Sequence, residues 1–280
     1  MRVALLPLLV PGVLAAQQKI DRRWPVDRDA SIRIMSPAGQ IQVIGWDGDT
    51  LAVTGVIPPG GGSFYGGGRG QAAKLGVDAR ADAPGSTLEV RVPKRARVWL
   101  KTISADVQVR GLEGEVDLTA VNGNLTVSGP GRVITAETID GSIDVEDTDG
   151  VLRLRTGGGR ITIRAKAGDV TATSVGGNVE ATTPGLNRGR LESVTGAVTF
   201  TGNLAPGGAL ELESHSGSVD LHFKGDVNAE FDLTSVTGTV VNQLAGKSAV
   251  VKGKPYHFTI GTGGAQVTIR SFKGVVTVGR

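Results

Sequence analysis

The sequence predicts an all-β chain wound as a single-chain parallel β-helix, or β-solenoid, with rungs of 18–21 residues. Three observations point there. The composition combines 43 glycines and 4% aromatics with abundant Val, Ile and Thr, which suits strands and tight turns. No helical periodicity of apolar residues is recognisable. A glycine followed by an alternating aliphatic strand recurs at near-constant spacing, as expected of stacked repeats that cannot bury a core singly.

Taken in order, the N-terminus MRVALLPLLVPGVLAAQQK has a basic Arg2, an apolar stretch at 3–14 broken by Pro7 and Pro11, and small residues at Ala15 and Ala16. It reads as a signal peptide over 1–16, followed by one β-solenoid domain over 17–280. The run is too short and too rich in proline to span a bilayer, which takes about 20 apolar residues, so the mature chain is expected to have no transmembrane segment. A buried N-terminal strand is the other reading. Segment 31–43 repeats the inward pattern weakly, with Ile32, Ile34, Ile41 and Val43 around Gly39. Segment 58–76, PPGGGSFYGGGRGQAAKLG, suggests a flexible glycine-rich insertion, either carrying Phe64 and Tyr65 outward or serving as a disordered connection.

The clearest repeats run over 97–243. They align on Ala105, Gly123, Gly141, Gly159, Gly177, Gly196, Gly217 and Gly238, at spacings of 18, 18, 18, 18, 19, 21 and 21. Two places after this anchor stand Val107, Leu125, Ile143, Ile161, Val179, Val198, Val219 and Val240. Further apolar columns lie four places after it and five before it, and alternation makes all three inward. Each copy then supplies two strands joined at the anchor, where glycine is expected to adopt positive φ. The second turn, as in SGPG at 128–131 and TGNLAPGG at 201–208, absorbs the length variation. Four or five buried aliphatics contribute about 2 kcal/mol each, against roughly 1–2 kcal/mol to order each residue of a rung, so a lone copy would not fold. Outward charges alternate between neighbours, Glu137 with Arg155 and Arg190 with Glu211. The tail segments AQVTI and GVVTV are expected to be final strands.

The 30 basic and 27 acidic residues are scattered, so the net charge of +3 makes no patch for nucleic acid. The absence of cysteine removes disulfides, thiolate metal sites, a cysteine nucleophile and lipid attachment at cysteine. The acid-rich TIDGSIDVEDTDG, 138–150, fails as an EF-hand at Val145 and Thr156. Asp140, Asp144, Asp147 and Asp149 are therefore expected to be turn-formers and solvent-facing residues, not metal ligands. AGKS, 245–248, lacks the first glycine of a phosphate loop, having Val241 there, and GRGQAA, 68–73, lacks a βαβ context. Neither predicts a cofactor. Of the histidines His215, His222 and His257, only His215 interrupts an otherwise apolar column (Ile103, Val121, Ile139, Gly157, Val175, Val194, Val236), which marks either a site or a satisfied core or turn histidine. Asp144, Glu180 and Asp220 share one outward column two rungs apart, about 9.6 Å, and are the candidate acids if the chain were a polysaccharide-cleaving enzyme.

The recurrence of G-x-[IV]-x-[VI] every 18–21 residues behind a signal-like segment resembles the bacterial putative-adhesin family of β-strand-repeat proteins, a domain of unknown function. The resemblance implies a β-helix at the cell envelope with no catalytic residues to carry over. The expectation is an exported, non-enzymatic module in the periplasm, at the cell surface or outside the cell. It would bind an envelope polysaccharide or protein through its Thr-rich faces or loop edge, with no cofactor, metal or nucleic acid. A polysaccharide-active β-helix enzyme and a self-associating structural or envelope-stress protein are the alternatives.

Overall fold

The computed structural model describes residues 17–166, 168–244 and 249–280. The expected signal segment and AGKS lie outside the described residues. Among those described there is no helix, and the strands join one mixed sheet. The N-terminal part contributes β1 (Gln18–Met35), β2 (Ala38–Trp46), β3 (Thr50–Ile57), β4 (Ser63–Asp78) and β5 (Ser86–Pro93). The repeats follow as β6 (Arg97–Lys101), β7 (Ser104–Arg110), β8 (Glu115–Thr119), β9 (Leu125–Ser128), β10 (Val133–Thr138), β11 (Ile143–Glu146) and β12 (Val151–Thr156). They continue through β13 (Ile161–Arg164), β14 (Asp169–Ser174), β15 (Val179–Ser193), β16 (Val198–Ser214), β17 (Val219–Phe223), β18 (Ala229–Ser235) and β19 (Thr239–Asn242). The tail adds β20 (Ala249–Lys252), β21 (Tyr256–Ile260), β22 (Gln266–Ser271) and β23 (Val276–Gly279).

These strands build two parallel ladders. The first runs in space through β4, β1, β6, β8, β10, β12, β14, the second halves of β15 and β16, then β22 and β18. The second runs through β5, β2, β7, β9, β11, β13, the first halves of β15 and β16, then β17, β23 and β19. At about 4.8 Å per step, ten steps give roughly 48 Å. The expected inward columns stack in register: Leu125, Ile143, Ile161, Val179 and Val198 follow one another, all buried. Between the ladders the aliphatics form one continuous core.

Four expectations need correction. The pairing is not parallel throughout, because β3 lies antiparallel to β1 and β5, and β21 and β20 lie antiparallel to β18 and β19. These strands occupy the ends of the ladders, where open edges expose unpaired backbone groups; a chain doubling back over a short connection can cover such an edge only in the antiparallel sense. The glycine-rich segment carries β4, a strand over most of its length that pairs in parallel with β1. The tail strands are the last in the chain but not in the stack: β22 and β23 lie between the β16–β17 rung and the β18–β19 rung. Lastly, the anchor glycines need close approach, not positive φ. None of Gly123, Gly141, Gly159, Gly177, Gly196, Gly217 or Gly238 has positive φ, but a Cβ on Gly159 would sit 1.9 Å from the Gly141 carbonyl oxygen. Positive φ occurs at the opposite corner, at Gly111, Gly129, Asp147 and Gly202, and in the anchor column at Gly39 beside Ala105.

Candidate functional site

The anchor corner is held by a column of hydroxyls three places before each anchor. Thr138 Oγ1 accepts the Gly141 N–H at 3.1 Å and donates to the Gly123 carbonyl at 3.3 Å. Thr156, Ser174, Ser193 and Ser214 repeat both bonds on successive rungs. Sequence reading missed this column, although a Ser or Thr at that offset in every copy except Ala120 is a usable signal.

One place beyond these hydroxyls the side chains turn outward. Ile103, Val121, Ile139, Val175, Val194 and Val236, the apolar column that Gly157 and His215 interrupt, are 36% to 57% exposed. Backbone bonds tie this corner from rung to rung, from Val121 N–H to the Ile103 carbonyl at 3.2 Å and from Ile139 N–H to Val121 at 3.1 Å. The result is an apolar ridge along the length of the ladders. His215 belongs to it: the exposed imidazole stacks on Phe272 with ring centroids 4.9 Å apart and planes at 4°. Toward β4 the ridge opens into a hollow of about 330 Å³ lined by Met35, Pro37, Tyr65, Val77, Ile103 and Val121. Tyr65 comes from the glycine-rich segment. Burial, then the nearby Asp78 carboxylate, raise its phenol above the ordinary value, and Lys74 Nζ lies 5.6 Å from its ring centre.

The remaining candidates do not converge. Asp144, Thr162, Glu180, Thr199 and Asp220 stand side by side in one column. The carboxylates are therefore two rungs apart, about 9.6 Å between strands, at the upper limit for an inverting pair. Asp220 accepts the Ser218 hydroxyl at 2.9 Å. Asp140 sits at the anchor corner, Asp144 on the face of the second ladder, and Asp147 and Asp149 at the opposite corner, where Asp147 has φ 54°. Among the described residues no group of three or more His, Asp or Glu gathers as a metal would require. His222 faces outward on β17, and His257 Nδ1 lies 3.3 Å from Asp232 Oδ1 on the capping strand.

Of the expected cross-rung charge pairs, Arg190 Nη1 meets Glu211 Oε2 at 3.0 Å. Glu137 and Arg155 are register partners without an ion pair among the described residues. Arg190 also binds Glu192. That bond first, and the surrounding carboxylates after it, hold its guanidinium above the ordinary value.

No family model matches the chain, and no curated protein does. Among solved structures it is similar to a putative cell adhesion protein from Clostridium sporogenes, at 8% identity over 94% of this chain and 99% of that one, TM-score 0.24. It is also similar to a putative adhesin from Bacteroides fragilis, at 13% identity over 94% of this chain and 98% of that one, TM-score 0.46. At superposition scores this low neither likeness bears on function.

Proposed function

We propose that the chain is an exported, non-enzymatic module of the cell envelope, a β-solenoid that binds an envelope polysaccharide or protein along its side. The apolar ridge carries this reading. A row of aliphatics 36% to 57% exposed, interrupted at Gly157 and His215, costs solubility without adding to the core, and extended exposed apolar surface of this kind marks interaction sites. The wide spacing of Asp144, Glu180 and Asp220, with threonines between them, supports binding over turnover.

Purified full-length protein tested against envelope fractions and a glycan panel distinguishes the readings. Binding is expected to fall at least severalfold in the Ile139→Ser/Val175→Ser variant while the melting temperature stays within a few degrees, since both side chains are exposed. Hydrolysis of any glycan that disappears in Asp144→Asn, Glu180→Gln or Asp220→Asn would overturn the reading in favour of an enzyme.

A further inference from the structure

The outer face of the first ladder holds a second feature, separate from the ridge. Where β12, β14, β15, β16 and β22 lie side by side the surface forms a concavity of about 630 Å³. Four arginines line it, Arg153, Arg188, Arg190 and Arg270, against two carboxylates, Asp169 and Glu211, and Arg190 is also bound by Glu192, leaving one positive charge in excess. Two of the arginines are fixed: Glu211 receives Arg190 on one oxygen at 3.0 Å and Arg270 on the other at 3.1 Å. Arg153 and Arg188 are exposed and have no ion pair among the described residues, so their guanidinium donors are free for a ligand. The short side chains of Thr171 and Ala209 keep the space between them open.

We propose that this concavity binds a carboxylated polysaccharide, a chain of uronic acids lying along the ladder axis. The planar guanidinium fork pairs with a carboxylate through two parallel bonds. The free pair, Arg153 and Arg188, lies two rungs apart, about 9.6 Å along the ladder, and two residues apart along the strand, with the Thr171 hydroxyl on the rung between them. Thr268 and Gln266 add further hydrogen-bonding groups. Free cations set apart by neutral polar groups match a polymer that alternates carboxylates with hydroxyls. Nucleic acid fits less well, because no aromatic side chain lines the concavity for bases to stack on and so small an excess of positive charge does not match a phosphate at every nucleotide.

This inference rests on the binding-module reading but uses none of the ridge. The test is calorimetric titration of the full chain with an oligogalacturonate, a neutral glucan of equal length and a single-stranded oligonucleotide. The oligogalacturonate is expected to bind, more weakly as salt is raised, and roughly tenfold more weakly in Arg153→Ala/Arg188→Ala. Arg164→Ala, on the other ladder, should bind it as the wild type does. No oligogalacturonate binding, equal binding of the neutral glucan, tighter binding of the oligonucleotide, or indifference to the double arginine change would each overturn the inference. Loss of envelope-fraction binding confined to the ridge variant would leave the proposed function standing while the uronate site fell.

Discussion

The two corners of each rung reverse the same chain under different constraints. At the anchor corner successive backbones stack so closely that a Cβ on any anchor glycine from Gly123 to Gly238, or on Gly274, would come within 1.8–2.3 Å of a carbonyl oxygen on the adjoining rung. A buried hydroxyl stitches most of these levels together. The opposite corner is uneven: a Cβ on Gly114, Gly150 or Gly202 would also come within 1.8–2.0 Å of a carbonyl oxygen, whereas one on Gly185 or Gly207 would meet nothing within 4 Å, and the connections range from the short one at 111–114 to the long one at 202–208. Inward packing thus keeps one corner uniform in sequence and length. The other is hydrogen-bonded between rungs at some levels, as from the Asp147 N–H to the Arg164 carbonyl, and open at others, so it varies in length, and a positive φ turns it, whether supplied by Gly129 or by Asp147.

The largest effect that would sharpen this contrast comes from adding one methyl group at each corner. Gly159→Ala is expected to cost about 3 kcal/mol or more, because the stacked carbonyl of Gly141 cannot yield without opening the ladder. Gly207→Ala, strained only by its φ of 75°, should cost about 1–2 kcal/mol. Gly185→Ala should lie within about 0.5 kcal/mol of wild type. Urea unfolding of the three variants measures the order, and an anchor variant as stable as Gly185→Ala would break the comparison.

A middle-sized effect tests the hydroxyls. Ser193→Ala leaves the Gly196 N–H and the Gly177 carbonyl without their side-chain partner and should cost roughly 2–3 kcal/mol. Thr148→Ala, at the opposite corner, loses one bond to the Gly131 carbonyl and should cost about 1 kcal/mol. Equal losses in denaturant titrations would show that the anchor hydroxyls carry no special share.

The smallest effect lies on the face between the corners. Burial, then the Glu137 carboxylate, raise the Asp117 carboxyl above its ordinary value. The folded state therefore holds this proton more tightly than the unfolded state, and stability is lost as pH rises through the raised value. Asp117→Asn should lift the melting temperature slightly at neutral pH, by less than about 2 °C, and not at a pH below the ordinary carboxylate range. Melting curves at the two pH values decide it, and an equal rise at both would exclude this origin.

Much of this was legible in the residues. Alternation around the anchor assigns Leu125, Ile143, Ile161 and their counterparts to the interior, because side-chain direction in a strand is a local property of period two. The ridge was read as apolar but not as exposed: residues such as Val121 and Ile139 lie in the turn, where strand alternation no longer tells inside from outside. The concavity was not legible, since Arg153, Arg188 and Arg270 come from three separate rungs.

The amino-acid sequence by itself determined the rung length, the inward columns and the corner glycines, all of which depend on neighbours a few places away along the chain. The order of stacking was decided only in three dimensions. The rungs present near-identical aliphatic edges, so local pattern cannot say which edge β22 and β23 will join. They lie inside the array because β18 and β19, with β20 and β21 across them, form its end. In the same way β1 and β2 lie between β4 and β5 on one side and β6 and β7 on the other. Such pairings join residues far apart in the chain, and the whole set of edges must be satisfied together before any one of them is settled.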